Sequence, residues 1–126
     1  MCAAFSQLQE LNFPKMNNED IQRVISYGRL HLDFCIELYR MQVKKGLYFL
    51  HEHPWQARSW KEDKMQQLLN LPGVVKVRGD MCEFEMMQEV QHGVGKFKEW
   101  TRFATNLPEL AKELARTCKG QHWHIQ

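Results

Sequence analysis

One long apolar stripe limits what this chain can fold into. Ile21, Val24, Ile25, Leu32, Cys35, Ile36, Tyr39 and Val43 recur at near-helical spacing, interrupted only at Gly28. Asn17 or Asn18 can accept the first free amides of such a helix, and Glu19 and Asp20 sit where the helix dipole favours negative charge. Lys44 and Lys45 suit the opposite end, and Gly46 suits the left-handed residue just past it. The spacing predicts a helix over 18–45, and any fold must bury one side of it.

The segments around this helix are short. Residues 2–15 read as a loop or short helix closed by Pro14. Leu47–Leu50 reads as a buried strand, with His51-Glu52-His53-Pro54 at its C-terminal edge. Lys61–Asn70 reads as a second helix stopped by Pro72-Gly73. Val74–Val77, Met81–Phe84 and Phe103–Thr105 read as further strands, and Pro108 opens a last helix reaching about Thr117. Residues 85–100 read as irregular, loosened by Gly93 and Gly95. Helices alternating with strands predict an α/β fold, a partial Rossmann-like, mostly parallel sheet with flanking helices. In such a sheet ligands gather at the C-terminal strand edges, which is where this reading puts Glu52.

A chain of 126 residues is read as one domain with a sizeable core. The balance of 17 basic and 15 acidic residues, net +2, neither announces nor excludes nucleic acid. No apolar run approaches a membrane span. Cys2, Cys35, Cys82 and Cys118 are widely spaced, and with no secretory signal they read as free thiols of an intracellular protein.

Three groups of residues carry chemistry. Cys2 followed by Phe5-Ser6, with Glu52 after the first strand, suits covalent chemistry on a heterocycle: a thiolate adds to a ring carbon and a carboxylate holds the ring edge. Trp55, Arg58, Trp60 and Lys61 could stack on bases and meet phosphates, but a loop with its tryptophans in the core is the favoured reading. Cys118, His122 and His124, with Cys82, His51 and His53 elsewhere, have the soft donors that zinc takes. The paired Cys-x-x-Cys half of a finger is missing, so these residues are assigned no metal. Met81, Met86 and Met87 read as gap-filling core.

Cys2-x-x-Phe5-Ser6 resembles the end of the Pro-Cys-x-x-Phe-Ser loop of cytosine-5 DNA methyltransferases, and Phe49–Pro54 is similar to the strand and Glu-Asn-Val motif that follows it there. Shortened, divergent relatives in phage and retrotransposon polyproteins show His-Glu-His-Pro, Asp-Met-Cys-x-Phe and Thr-Arg-Phe-x-Thr-Asn in this order, as His51–Pro54, Asp80–Phe84 and Thr101–Asn106 do here. The resemblance implies Cys2 as nucleophile on carbon 6 of cytosine, Glu52 as partner of N3 and the exocyclic amine, and Arg102 as the group that orients a flipped base or counters the backbone charge. It implies S-adenosylmethionine as methyl donor and DNA as partner; separately, the basic residues Arg58, Lys61, Lys64, Lys96, Lys98 and Arg102 are read as weak, salt-sensitive phosphate contacts.

Departures from the pattern are as informative. Met1, His53 and Glu85 replace the family's Pro, Asn and Gly, and Glu99-Trp100 replaces Lys-Pro. The Gly-rich donor turn lies upstream of the cysteine in that family and has no counterpart here; Gly93-Val94-Gly95 lacks the flanking strand and helix. The expectation is therefore a truncated methyltransferase-like domain, inactive alone, completed by a missing N-terminal half or by polyprotein neighbours. The alternative is a non-catalytic nucleic-acid-binding or assembly module, and a third reading is a small zinc-supported interaction domain.

Overall fold

The computed structural model describes residues 3–91 and 93–125. The chain divides into two compact units, Met1–Phe49 with Gln56–Val74, and Leu50–Trp55 with Val75–Gln126. No described helix is long and apolar enough to cross a membrane.

The first unit is helical: α1 (Gln7–Asn12), α2 (Asn18–Lys44) and α3 (Asp63–Leu69). Ser6 caps α1 by accepting the Gln9 amide at 3.2 Å, and Asn17 caps α2 by accepting the Asp20 amide at 2.8 Å. At the far end the Gly46 amide donates to the Val43 carbonyl and Leu47 donates to Gln42, with Gly46 at φ +68°. The inward line of α2 is Gly28, Leu32 and Ile36, spaced by four so that they stack on one face. Met65 and Leu68 of α3 are wholly buried, as is Trp60 in the short 3-10 turn before it. Arg29–Glu62 (2.8 Å) and Lys64–Asp33 (3.2 Å) join the same segments at the surface. Exposed pairs contribute about 0.2–1 kcal/mol, whereas each buried large side chain contributes about 1.5–3, so packing holds this unit. A second apolar line on α2, Tyr27, Leu30, Phe34, Leu38 and Met41, faces outward.

The second unit holds two small sheets and α4 (Pro108–Leu114). Strands β1 (Leu50–Pro54), β2 (Val75–Asp80) and β5 (Trp100–Thr105) form a sheet ordered β1-β5-β2, antiparallel throughout. Strands β3 (Met87–Val90), β4 (Gly93–Phe97) and β6 (His124–Ile125) form the other, with β3 antiparallel and β6 parallel to β4. The fold class is therefore α+β, and the expected mostly parallel, Rossmann-like sheet is corrected. The reason is local to β5. Strands β1 and β2 do run parallel to each other, joined through helical chain, but β5 inserts between them and pairs with both. Thr101, Phe103, Ala104 and Thr105 are all buried, as a central strand requires.

Register divides the side chains of this sheet. Glu52, Thr101, Phe103 and Gly79 share one face; His53, Arg102, Arg78 and Asp80 share the other. Gly79 admits no side chain, since a Cβ there would lie 2.7 Å from Phe103 Cε2 and 3.0 Å from the Leu114 carbonyl. Several element assignments change. The first strand starts at Leu50 rather than Leu47, Lys61 closes a 3-10 turn before a helix that starts at Asp63, Met81–Phe84 is a 3-10 turn closed by Glu85 at φ 59°, residues 85–100 contain the β3–β4 pair, and the last helix ends at Leu114 rather than near Thr117. Met86 and Met87 are exposed rather than core.

Candidate functional site

Two constellations meet in the second unit. The first gathers around Cys118. The chain leaves α4, the Arg116 carbonyl accepts the Asp80 amide at 2.8 Å, and the Cys118 amide donates to Asp80 Oδ2 at 2.8 Å. Asp80 is buried at the end of β2, with Arg78 donating to both its oxygens at 2.7 and 3.0 Å. Burial alone would raise the Asp80 carboxyl; the Arg78 hydrogen bond, the Cys118 amide and the Arg78 charge outweigh it and hold the group below its ordinary value.

Beyond Cys118 the chain turns back. Cys118 Sγ lies 3.5 Å from His122 Nε2 and 3.4 Å from His124 Nε2, and the Gly120 amide donates to the same sulfur at 3.3 Å. His124 is anchored by β6, where Lys96 pairs with His124 and Phe97 with Ile125. Trp123 lies so close over Gly95 that a Cβ at that position would collide with the indole and with Ile125. Cys82, buried in the turn after β2, completes the group: one donor atom from each of Cys82, Cys118, His122 and His124 lies within 4.8 Å of the others. As a bare thiol Cys82 is pushed up to about 11, first by burial and then by its hydrogen bond with Cys118. A bound dication inverts that logic, since a coordinating thiol is deprotonated outright.

The second constellation is a cleft of about 230 Å³ lined by Trp55, Lys76, Val77, Arg78 and Arg102. Arg78 and Arg102 are register partners on β2 and β5. The Arg102 guanidinium stacks 4.2 Å from the centroid of Trp55, and that of Arg78 stacks 4.3 Å from Trp100. Desolvation lowers the Arg102 pKa from its ordinary value. No carboxylate is among the described residues that line the cleft.

The residues singled out from sequence fare unevenly. Cys2 lies outside the described residues. The Glu52 carboxylate accepts a hydrogen bond from Thr101, whose hydroxyl also lies 3.0 Å from the His53 carbonyl. Glu52 and Arg102 project from opposite faces of the sheet. The cations divide between the units. Arg58 pairs with Glu10 at 3.7 Å and Lys64 with Asp33 in the first, where Lys61 is exposed. Lys96 lies on β4, with Lys98 just after it, in the second. Trp60 is core and Trp55 is not. Sequence reasoning missed Lys76, Arg78 and Trp100. The alternation of Lys76, Arg78 and Asp80 along one strand was the available signal. Comparisons with protein-family models, with curated proteins and with solved structures returned no match.

Proposed function

We propose that the chain is a non-catalytic nucleic-acid-binding module of the kind a mobile-element polyprotein carries, with its binding surface in the second unit. The cleft between β2 and β5 carries this reading. Lys76 and Arg102 offer charge to phosphates, the Arg78 charge being already paired with Asp80, while Trp55 in the cleft and Trp100 beside Arg78 offer planes on which unpaired bases stack. A cleft built from strands, with an aromatic plane beside its cations, suits splayed bases better than a duplex groove.

Two cations, Lys76 and Arg102, meeting two phosphates give a slope of about −1.4 in log K against log salt for a single strand. The test is fluorescence anisotropy of a labelled single-stranded oligonucleotide across a salt series. Arg102→Ala and Trp55→Ala should each weaken binding about tenfold. Affinity unchanged in both variants would sink the reading.

Methyl transfer is a separate proposal, carried by motif order alone. With no counterpart of the donor turn, the chain alone is expected neither to bind S-adenosylmethionine in calorimetry nor to label cytosine, and label transfer lost in Cys2→Ser would overturn that expectation.

A further inference from the structure

We infer that Cys82, Cys118, His122 and His124 form a tetrahedral zinc site that fastens the segment after α4 to the sheets and, through Asp80, sets Arg78 in the cleft. The metal half of this inference stands by itself; the link to Arg78 rests on the binding function proposed above.

The donor set is two thiols and two imidazoles, the mixture that zinc takes in closed structural sites. Zinc–sulfur bonds of about 2.3 Å and zinc–nitrogen bonds of about 2.0–2.1 Å at tetrahedral angles separate sulfur from nitrogen by about 3.5 Å. The two such separations at Cys118 are 3.5 and 3.4 Å. A disulfide between Cys82 and Cys118 would leave unexplained why two imidazole nitrogens converge on one sulfur. Four protein donors leave no position for water or substrate, so the site holds structure and performs no hydrolysis.

The surroundings support the ligands. The Gly120 amide points at the Cys118 sulfur, and Asp80 holds the Cys118 amide; outer contacts of this kind orient metal ligands. The donors come from a turn after β2 and from a segment with little regular structure besides β6. The apolar burial of this unit is thin, with Phe103, Ala104, Ala111 and Ile125 as its main members beside Cys82. Units below about 70–80 residues commonly need a metal or disulfides to supplement such a core.

The connection to the cleft runs through hydrogen bonds. Cys118 donates to Asp80, and Asp80 accepts both guanidinium contacts from Arg78. Losing the metal frees Cys118, and Asp80 then loses one of the partners that hold Arg78 over Trp100.

The experiment takes the full chain through elemental analysis, cobalt substitution and zinc competition against a chromophoric chelator. About one zinc per chain is expected, with the intense visible bands of tetrahedral thiolate-bound cobalt. Binding at neutral pH should release protons from the thiols, a readout that needs no variant. Cys82→Ser and His122→Asn should lose the cobalt spectrum. Asp80→Asn should keep the stoichiometry and weaken zinc binding about 10–100-fold. Cys35→Ser is the control, since its thiol lies on α2 in the first unit, 3.8 Å from His31, and is not one of the four donors.

Absence of zinc with no cobalt–thiolate bands, or bands that survive in Cys82→Ser, would overturn the site. Oligonucleotide anisotropy before and after chelation separates the remaining outcomes. Affinity that falls on chelation supports the link, and Arg102-dependent affinity indifferent to chelation breaks it. One zinc per chain with no oligonucleotide binding sinks the binding function and leaves the metal site standing.

Discussion

The two units solve the problem of stability by different means. The first closes over large apolar side chains, Phe5, Leu32, Ile36, Trp60, Met65 and Leu68, and Ser59 is the one polar residue buried among its described residues. The second buries His51, His53, Asp80, Thr101 and Thr105 beside a modest apolar set. Apolar burial is non-directional and scales with area, so a correct pattern is enough to specify it. Polar burial is favourable only when each group finds its partner, so the second unit depends on geometry that several separate strands must supply together.

That contrast predicts opposite responses to two perturbations. Chelation should abolish amide-exchange protection in β2, β4 and the 115–125 segment while α2 stays protected. The apparent binding energy of a structural zinc is on the order of 10 kcal/mol and is spent on folding this unit. Ile36→Ala should do the reverse, costing about 2–5 kcal/mol in a denaturant melt with zinc content unchanged. Equal loss of protection in both units under either treatment would break the distinction.

A smaller effect sharpens it. Burial, and then the neighbouring His53, pull the His51 pKa down to about 4, against about 6.5 in the unfolded chain. The folded state thus resists a proton that the unfolded state accepts. This contribution is complete above pH 6.5 and is lost as the pH falls towards 4, by up to about 3 kcal/mol. Melts of the zinc-loaded protein and of zinc-loaded His51→Leu across that window should differ in slope, the variant being flatter. Parallel slopes would remove His51 as the source.

The smallest effect belongs to the first unit. Asn17→Ala removes the α2 cap and should cost about 1 kcal/mol, read as a lower midpoint in a denaturant melt. The zinc affinity should not move. A shift in zinc affinity would show that the two units are less separable than their burial patterns suggest.

Legibility in the sequence followed the same division. The α2 helix was readable to within a residue because its caps, charged ends and closing glycine are local signals. The helices at Asp63–Leu69 and Pro108–Leu114 were readable in place but not in extent, since neither has a side-chain cap: the expected bounds were 61–70 and 108 to about 117. Leu47–Leu50 misled because an apolar run resembles a strand, whereas Leu47 and Tyr48 are exposed and the Leu47 amide bonds back to Gln42. The β3–β4 pair escaped because its residues are mostly exposed and two are glycines, leaving no alternation to detect. Cys82 could not be joined to Cys118, His122 and His124 by spacing, since a 3-10 turn and a parallel strand pairing bring them together.

By itself the sequence determined where the three longer helical segments lie, and for α2 where it ends, because capping and periodicity act over a few residues. It also limited the chemistry to thiols, imidazoles, tryptophans and an even balance of charge. Tertiary structure alone decided that β5 would lie between β1 and β2, turning an expected parallel sheet into an antiparallel one. It also decided that Arg78 would stand beside Arg102, and that four distant donors would converge on one point. Strand pairing joins residues far apart in the chain, and its register depends on the whole set of partners rather than on any one segment's pattern.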